Sequence, residues 1–327
     1  MNFREFGNTG MHVSEISLGT WQLGGKWGSD YNERNALATL ETAYEQGINF
    51  FDTADVYNNG ESERSIGKFI RGKEGKVIVA TKCGRQISPH VSAGYTCEAI
   101  AGYTEDSLRR LGVDALDLIQ LHCPPTDVFY RPEIFETLQQ LQRAGKIKHF
   151  GVSVERVEEG LKAMEYQGMS SIQVIYNMFR QRPSELLFPI AKEKGVGIIC
   201  RVPLASGLLT GKFSIDSVFG ASDHRFFNRN GESFDKGETF SGVDYQLGIQ
   251  AADELKKMFG AGQLTEYALR WILMQDAVSC VITGASNPDQ IKENVKASQL
   301  PILTKEQMNG IKSIYDQYIR NPVHFLW

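Results

Sequence analysis

An acid, a phenol, an amine and an imidazole stand at the ends of three successive apolar runs: Asp52 and Tyr57, Lys82, and His122. Brought to one rim, such a group could polarise a carbonyl and give its oxygen a proton. A free tyrosine titrates near pH ~10, too high for a good proton donor at neutrality. An ammonium beside the phenol favours the phenolate, so the sequence predicts that Lys82 lowers the pKa of Tyr57 toward the working range. Asp52 would hold Lys82 charged and oriented, because charges at the edge of a core are rarely left unpaired. His122, as a neutral donor, would place the carbonyl oxygen and share its developing charge. Taken singly, each has a blander reading: a solvated lysine, a hydrogen-bonded structural histidine, a surface tyrosine. The constellation is more specific than its members. No Ser-His-Asp order, HExxH or His/Cys metal spacing competes with it, and no metal is expected.

The elements that must carry these residues are short β-rich runs alternating with helical patterns. Strands are predicted near Ile16–Thr20, Asn49–Ala54, Val77–Cys83, Leu116–Cys123, Ile147–Val154, Ile172–Asn177, Gly197–Leu204 and Cys280–Ala285. Helices are predicted between them, for example over Arg34–Gln46, Pro132–Ala144 and Leu264–Met274. Runs such as VIVATKC and LDLIQLH are apolar on both sides of the alternation, as strands of a helix-covered parallel sheet are. Eight such units without a composition break predict one α/β domain over residues 1–327, a closed (β/α)8 TIM barrel. Functional groups of such a barrel collect at the carboxyl ends of its strands. The open-sheet alternative lacks its G-x-G-x-x-G after the first strand. Phe3–Ser17 reads as an N-terminal β-hairpin capping the barrel bottom. Ser214–Tyr245 reads as a long, structureless loop after the seventh strand, of the kind that serves as a lid.

The composition narrows the field further. At 327 residues, 42% hydrophobic and 23% charged, the chain is globular rather than disordered or rod-like. The net charge of −4 carries no basic run, so nucleic acid is not an expected partner. No signal peptide or membrane-length apolar stretch is visible, and no membrane is expected. Five widely spaced cysteines without a C-x-x-C predict reduced thiols in a cytoplasmic protein.

The order of motifs resembles that of the aldo-keto reductases over nearly the whole chain. The residues that carry the resemblance are Gly19-Thr-Trp-Gln-Leu-Gly24, Phe51-Asp-Thr-Ala-Asp-Val-Tyr57 with Gly60-Glu-Ser-Glu-Arg64, Ala80-Thr-Lys82 and Leu118-Ile-Gln-Leu-His122. They continue through Gly145-Lys-Ile-Lys-His-Phe-Gly-Val-Ser153, Pro203-Leu-Ala-Ser-Gly-Leu-Leu-Thr-Gly-Lys212 and Gly284-Ala-Ser-Asn-Pro-Asp-Gln290 with Glu293-Asn294. The resemblance implies hydride transfer from NADPH to an aldehyde or ketone, with Asp52, Tyr57, Lys82 and His122 as the catalytic tetrad and Tyr57 as the acid. It implies that Ser153 and Gln173 hold the nicotinamide carboxamide near Asp52, Gly19, Thr20 and Trp21. Pro203, Leu204, Gly207, Leu208 and Lys212 would wrap the pyrophosphate. Gly284, Ser286, Gln290, Glu293 and Asn294 would receive the adenosine end, where a bare helix N-terminus suits a phosphate. Trp21, Tyr57, His122 and Cys123 would meet a small carbonyl substrate, with Cys123–Tyr130, the long loop and the tail Asn321–Trp327 as further walls.

Three departures from the family pattern bear on the cofactor. Val154 follows Ser153 where many members carry Asn, which removes one hydrogen bond to the cofactor. Arg201 stands where many stack an aromatic ring on the nicotinamide; it either stacks there and disfavours the cationic oxidised form, or meets a carboxylate of substrate or lid. Ser286 stands where NADPH-selective members often carry Arg or Lys. NADPH is the expected cofactor, with NADH use open. Two rival functions remain: a cofactor-sensing regulatory subunit of the same fold, and a Schiff-base enzyme with Lys82 as nucleophile. A homo-oligomer is compatible with the sequence.

Overall fold

A computed structural model describes residues 1–25, 30–260 and 262–327. Among the described residues ten strands run in order: β1 (Phe3–Glu5), β2 (His12–Ser14), β3 (Ile16–Gly19), β4 (Phe50–Asp52), β5 (Ile78–Cys83), β6 (Leu116–His122), β7 (Ile147–Ser153), β8 (Met169–Ile175), β9 (Gly197–Arg201) and β10 (Val278–Gly284). The last eight close into a parallel barrel in which β10 pairs with both β9 and β3. The expected (β/α)8 barrel is therefore the observed one.

Around it lie α1 (Glu33–Glu45), α2 (Glu61–Ile70), α3 (Cys97–Leu111), α4 (Pro132–Arg143), α5 (Val157–Ala163), α6 (Leu187–Lys194), α7 (His224–Phe227), α8 (Tyr245–Phe259), α9 (Leu264–Leu273), α10 (Pro288–Val295), α11 (Lys305–Ile314) and α12 (Arg320–Val323). Helix α3 shows how the local code works. Thr96 caps its start by accepting from the Ala99 N–H, and Gly112 ends it in the left-handed conformation. Its buried residues Ile100, Thr104, Ser107, Leu108 and Leu111 repeat at helical spacing against the barrel. Helix α2 is less visible in the sequence, because its buried face includes Ser62, Glu63, Ser65 and Gly67. Gly67 must be glycine, since a Cβ there would sit 2.5 Å from the carbonyl oxygen of Leu111.

The barrel interior is graded from apolar bottom to charged top, and strand alternation sets the grade. Phe50, Ala80, Leu118, Ile199 and Cys280 form the bottom cluster with Phe6, which stacks on Phe50 at 5.5 Å. Two residues further along their strands stand Asp52, Lys82, Gln120 and Arg201. The predicted hairpin is the antiparallel pair β1–β2, and its Phe6 plugs the bottom. Gly7 lies so close to the chain that a Cβ would fall 2.4 Å from the Gly195 carbonyl.

The segment after β9 corrects the expected structureless loop. It contains helix α7, two short 3₁₀ turns at Lys236–Glu238 and Phe240–Gly242, and ends where α8 begins at Tyr245. Its Phe219, Phe240 and Tyr245 pack as an aromatic cluster. Among the described residues no helix is long and apolar enough to cross a membrane. All five cysteines are free thiols.

Candidate active site

The mouth at the strand carboxyl ends brings Asp52, Tyr57, Lys82 and His122 together. Lys82, only 1% exposed, donates to an oxygen of Asp52, to the Thr53 carbonyl at 2.8 Å and to the Tyr57 hydroxyl at 3.3 Å. Three acceptors match the three protons of an ammonium. The other Asp52 oxygen accepts from Gln173 at 2.8 Å and Gln120 at 3.4 Å. The His122 ring meets Tyr57 edge-on, at 5.9 Å between centroids, and Trp21 stacks with the phenol at 6.3 Å.

Burial decides the protonation states. It works against the charge on Lys82, but Asp52 and Tyr57 outweigh it and hold the lysine above its usual range. His122 is pushed well below its usual value by burial and by the cations Arg85, Lys82 and Arg201, so its ring is neutral. Tyr57 corrects the expectation. Burial raises its pKa more than Lys82 lowers it, so the phenol stays above its ordinary value and keeps its proton at neutrality.

The expected cofactor residues lie along the same rim. Ser153, at the end of β7, places its hydroxyl 3.4 Å from the Cys123 sulfur. Gln173 is committed to Asp52 through its NH2 group. Thr20 donates to the Asp52 carbonyl at 2.9 Å and so braces the strand end rather than facing outward; Gly19 precedes it in β3. After β9, Val202, Ala205 and Ser206 take positive φ, beside Pro203, Leu204 and Gly207. A β-branched residue in that region is strained, as segments shaped for a ligand often are. Leu208 is turned into the core against Gly248, which leaves only its backbone for a ligand, and Lys212 is exposed.

At the end of β10, Gly284 is exposed with nothing within 4 Å of its Cβ position, which leaves an open cradle. Ser286, Gln290, Glu293 and Asn294 follow, with Asn294 donating to the Gly284 carbonyl at 3.4 Å. The helix start there is not bare. Asn287 caps α10 by accepting from the N–H groups of Asp289 and Gln290, and Gln290 accepts from the Ser286 N–H at 2.7 Å. A phosphate would therefore meet the side chains of Ser286 and Gln290 before any free N–H.

A second charged assembly went unrecognised in the sequence. Arg201 meets the lid: its guanidinium pairs with Glu238 at 2.7 Å and with Glu155 at 2.9 Å. Arg85 pairs with the same two carboxylates at 3.1 Å each. Arg85 and Glu155 each follow a tetrad or rim residue by two or three positions, a spacing that could have flagged them; Glu238 had no such signal. Cys123, Glu155 and Glu238 offer ligand atoms within 4.8 Å of one another, but both carboxylates are already bonded by two guanidiniums. The tail also reaches the lid. Trp327 packs on the Arg180 guanidinium at 4.0 Å and donates its indole N–H to Asp235 at 2.8 Å.

On the loop after β4, the Asp55 carboxyl is buried with neither oxygen hydrogen-bonded among the described residues. Burial, aided by Glu63, pushes its pKa up to about 7. Between about pH 4 and 7 the folded protein holds a proton that the unfolded chain has released. Stability therefore falls as pH rises through that window, by on the order of 4 kcal/mol at most. Asp55→Asn should flatten the decline in melting temperature between pH 5 and 8. Parallel profiles for variant and wild type would refute this.

The fold and rim chemistry define a barrel with a lysine-linked phenol and a neutral imidazole at its mouth. The aldo/keto reductase family model matches residues 15–316, and the chain belongs to that family. It is 31% identical to the aldo-keto reductase YhdN of Bacillus subtilis over 99% of this chain and 96% of that one. It is 28% identical to the NADH-specific methylglyoxal reductase of Escherichia coli, covering 89% and 91% of the two chains. The solved glycerol dehydrogenase of Gluconobacter oxydans superposes with a TM-score of 0.78 at 29% identity, over 99% and 98% of the chains.

Proposed function

We propose that this single barrel domain, residues 1–327, is an NADPH-dependent reductase of aldehydes or ketones in which Tyr57 is the proton donor. The observation that carries the reading is the 3.3 Å contact between the Lys82 ammonium and a phenol that stays protonated at neutrality. The residues present fit a dinucleotide: an open cradle over Gly284, hydroxyls at Ser153 and Ser286, and the strained turn at Val202–Gly207. When bound, the nicotinamide supplies the hydride.

The remaining work falls to the chain's own residues. Ser153 and Gln173 orient the cofactor's carboxamide end, while Lys212, Ser286, Gln290 and Asn294 hold its phosphates and adenosine. Neutral His122 donates to the carbonyl oxygen of the substrate. Tyr57 gives that oxygen its proton as negative charge develops there, and Lys82 stabilises the phenolate left behind. Trp21 and Cys123 bound the small-molecule substrate. Free thiols throughout suit the cytoplasm.

A Schiff-base role for Lys82 is disfavoured, because its nitrogen is buried, charged and bonded to three acceptors. A nucleophilic amine needs the opposite. A regulatory subunit would bind cofactor with little turnover. The test is NADPH binding by fluorescence, followed by oxidation of NADPH and NADH with a panel of aldehydes and ketones. Rapid turnover with a higher kcat/KM for NADPH is expected. Tight binding without turnover would favour the sensor, and a clear NADH preference would assign the second cofactor, consistent with an uncharged Ser286.

A further inference from the structure

The charged assembly at the mouth forms a square of alternating sign: Arg85, Glu155, Arg201, Glu238. Each carboxylate bridges both guanidiniums, at 2.7–3.1 Å. Three of the corners belong to the barrel, on the loops after β5 and β7 and at the end of β9, whereas Glu238 is carried by the lid. The square adjoins the chemistry. A guanidinium nitrogen of Arg201 lies 3.5 Å from the sulfur of Cys123, the residue after His122.

The donors of this cluster are not all satisfied. Arg180 stands next to the square, 2% exposed, and none of its three side-chain nitrogens has a hydrogen-bond partner among the described residues. It lies so close to Gly237, the neighbour of Glu238, that a Cβ there would overlap it. The Nε atoms of Arg85 and Arg201 are likewise buried without a partner. Asp235 attracts Arg180 through its charge but makes no hydrogen bond to it; its Oδ1 accepts from Trp327 and from the Gly237 N–H. Three buried guanidiniums thus stand among Glu155, Glu238 and the half-buried Asp235, and Arg180 is hydrogen-bonded to none of them. Burial pushes one of those, Glu155, up to about 7, while Glu238 is held low by Arg201 and Arg85 against the effect of its burial. Unpaired buried donors of this kind are costly and mark a place for an anion.

We propose that Arg85 and Arg201, backed by Arg180, form a carboxylate clamp that Glu238 fills when the lid is down, and that the preferred substrates are oxo acids whose carboxylate takes the place of Glu238. Geometry selects a carboxylate, because the resident group is one and each guanidinium already holds one of its oxygens. Charge selects it too. Withdrawal of Glu238 leaves three guanidiniums against Glu155 and Asp235, and an incoming carboxylate replaces it one for one. Seated there, the substrate's carbonyl end lies toward His122 and Tyr57. The substrate class rests on the reductase reading; the clamp itself does not.

Two measurements keep these apart. The first compares kcat/KM for glyoxylate, 4-oxobutanoate and 5-oxopentanoate with their methyl esters. At least one acid should exceed its ester tenfold or more, mainly through KM, and Arg85→Gln should shrink that ratio about tenfold while Arg85→Lys retains part of it. The second is calorimetric binding of glutarate, which has no reducible carbonyl. Glu238→Gln should tighten glutarate binding several-fold by removing the competitor, and Arg85→Gln should weaken it. Circular dichroism melting checks that each variant folds. If no carbonyl is reduced at all, the reductase reading fails while glutarate binding still decides the clamp. No saturable glutarate binding by wild type or Glu238→Gln overturns the proposal, as do equal kcat/KM values for acids and esters in an active enzyme.

Discussion

Replacing Tyr57 by Phe is expected to lower kcat for carbonyl reduction by about 10²–10⁴-fold, the usual contribution of a positioned acid, while NADPH affinity stays unchanged. The ring remains, so its stacking with Trp21 and its edge contact with His122 are kept, and only the hydroxyl is lost. Lys82 keeps Asp52 and the Thr53 carbonyl as partners, so the change should cost little stability. The pH profile adds a second reading of the same residue. Burial holds the Tyr57 pKa above its ordinary value, so wild-type activity should persist through neutrality and fall only in the alkaline range as the phenol ionises. Stopped-flow measurement of the hydride step in wild type and variant checks both points. A variant within tenfold of wild type would remove Tyr57 as the acid.

The direction of the Tyr57 shift was not legible in the sequence. Lys82 and Tyr57 could be paired from their positions at strand ends, and so could the lowering effect of the ammonium. The larger, opposing effect is burial, which depends on neighbours such as Trp21 and His122 that only the fold brings against the ring. The barrel itself was legible because strand alternation and near-continuous apolar runs are local signals. Helix α2 was obscured for a local reason as well: Ser62, Glu63 and Ser65 occupy the face that usually carries leucine and valine. The cap on α10 is different, since Asn287 before Pro288 is a readable start signal that makes a bare helix end untenable.

The Arg85–Glu155–Arg201–Glu238 square lay beyond sequence reasoning in another way. Its members are 70 and 153 residues apart along the Arg85 pairs; the barrel brings three of them together, and only the lid adds Glu238. Arg201 could be seen to need a carboxylate, but the sequence left open whether lid or substrate supplies it. The lid supplies one in this structure, and the unsatisfied guanidinium nitrogens of Arg180 leave the second answer chemically intact.

Lys82→Met should abolish detectable reduction and also destabilise the fold by about 3–5 kcal/mol, because Asp52 would remain as a buried charge without its cation. The catalytic loss has two causes. The ammonium no longer stabilises the phenolate, and Tyr57, already raised by burial, becomes a still weaker acid. Stability and catalysis can be separated with a second change. In Asp52→Asn/Lys82→Met the uncompensated charge is gone, while the amide oxygen can still accept from Gln173. Replacing a buried ion pair by neutral groups of similar size is often close to neutral, so the double variant should recover most of the lost melting temperature. It should recover no activity, since the cation beside the phenol is still missing. Thermal melts and steady-state rates on the wild type, both single variants and the double variant measure the coupling. Recovery of stability without turnover would place Lys82 in the chemistry as well as in the core. A double variant as unstable as Lys82→Met, or one that reduces carbonyls, would mean that the ion pair does not act as this geometry requires.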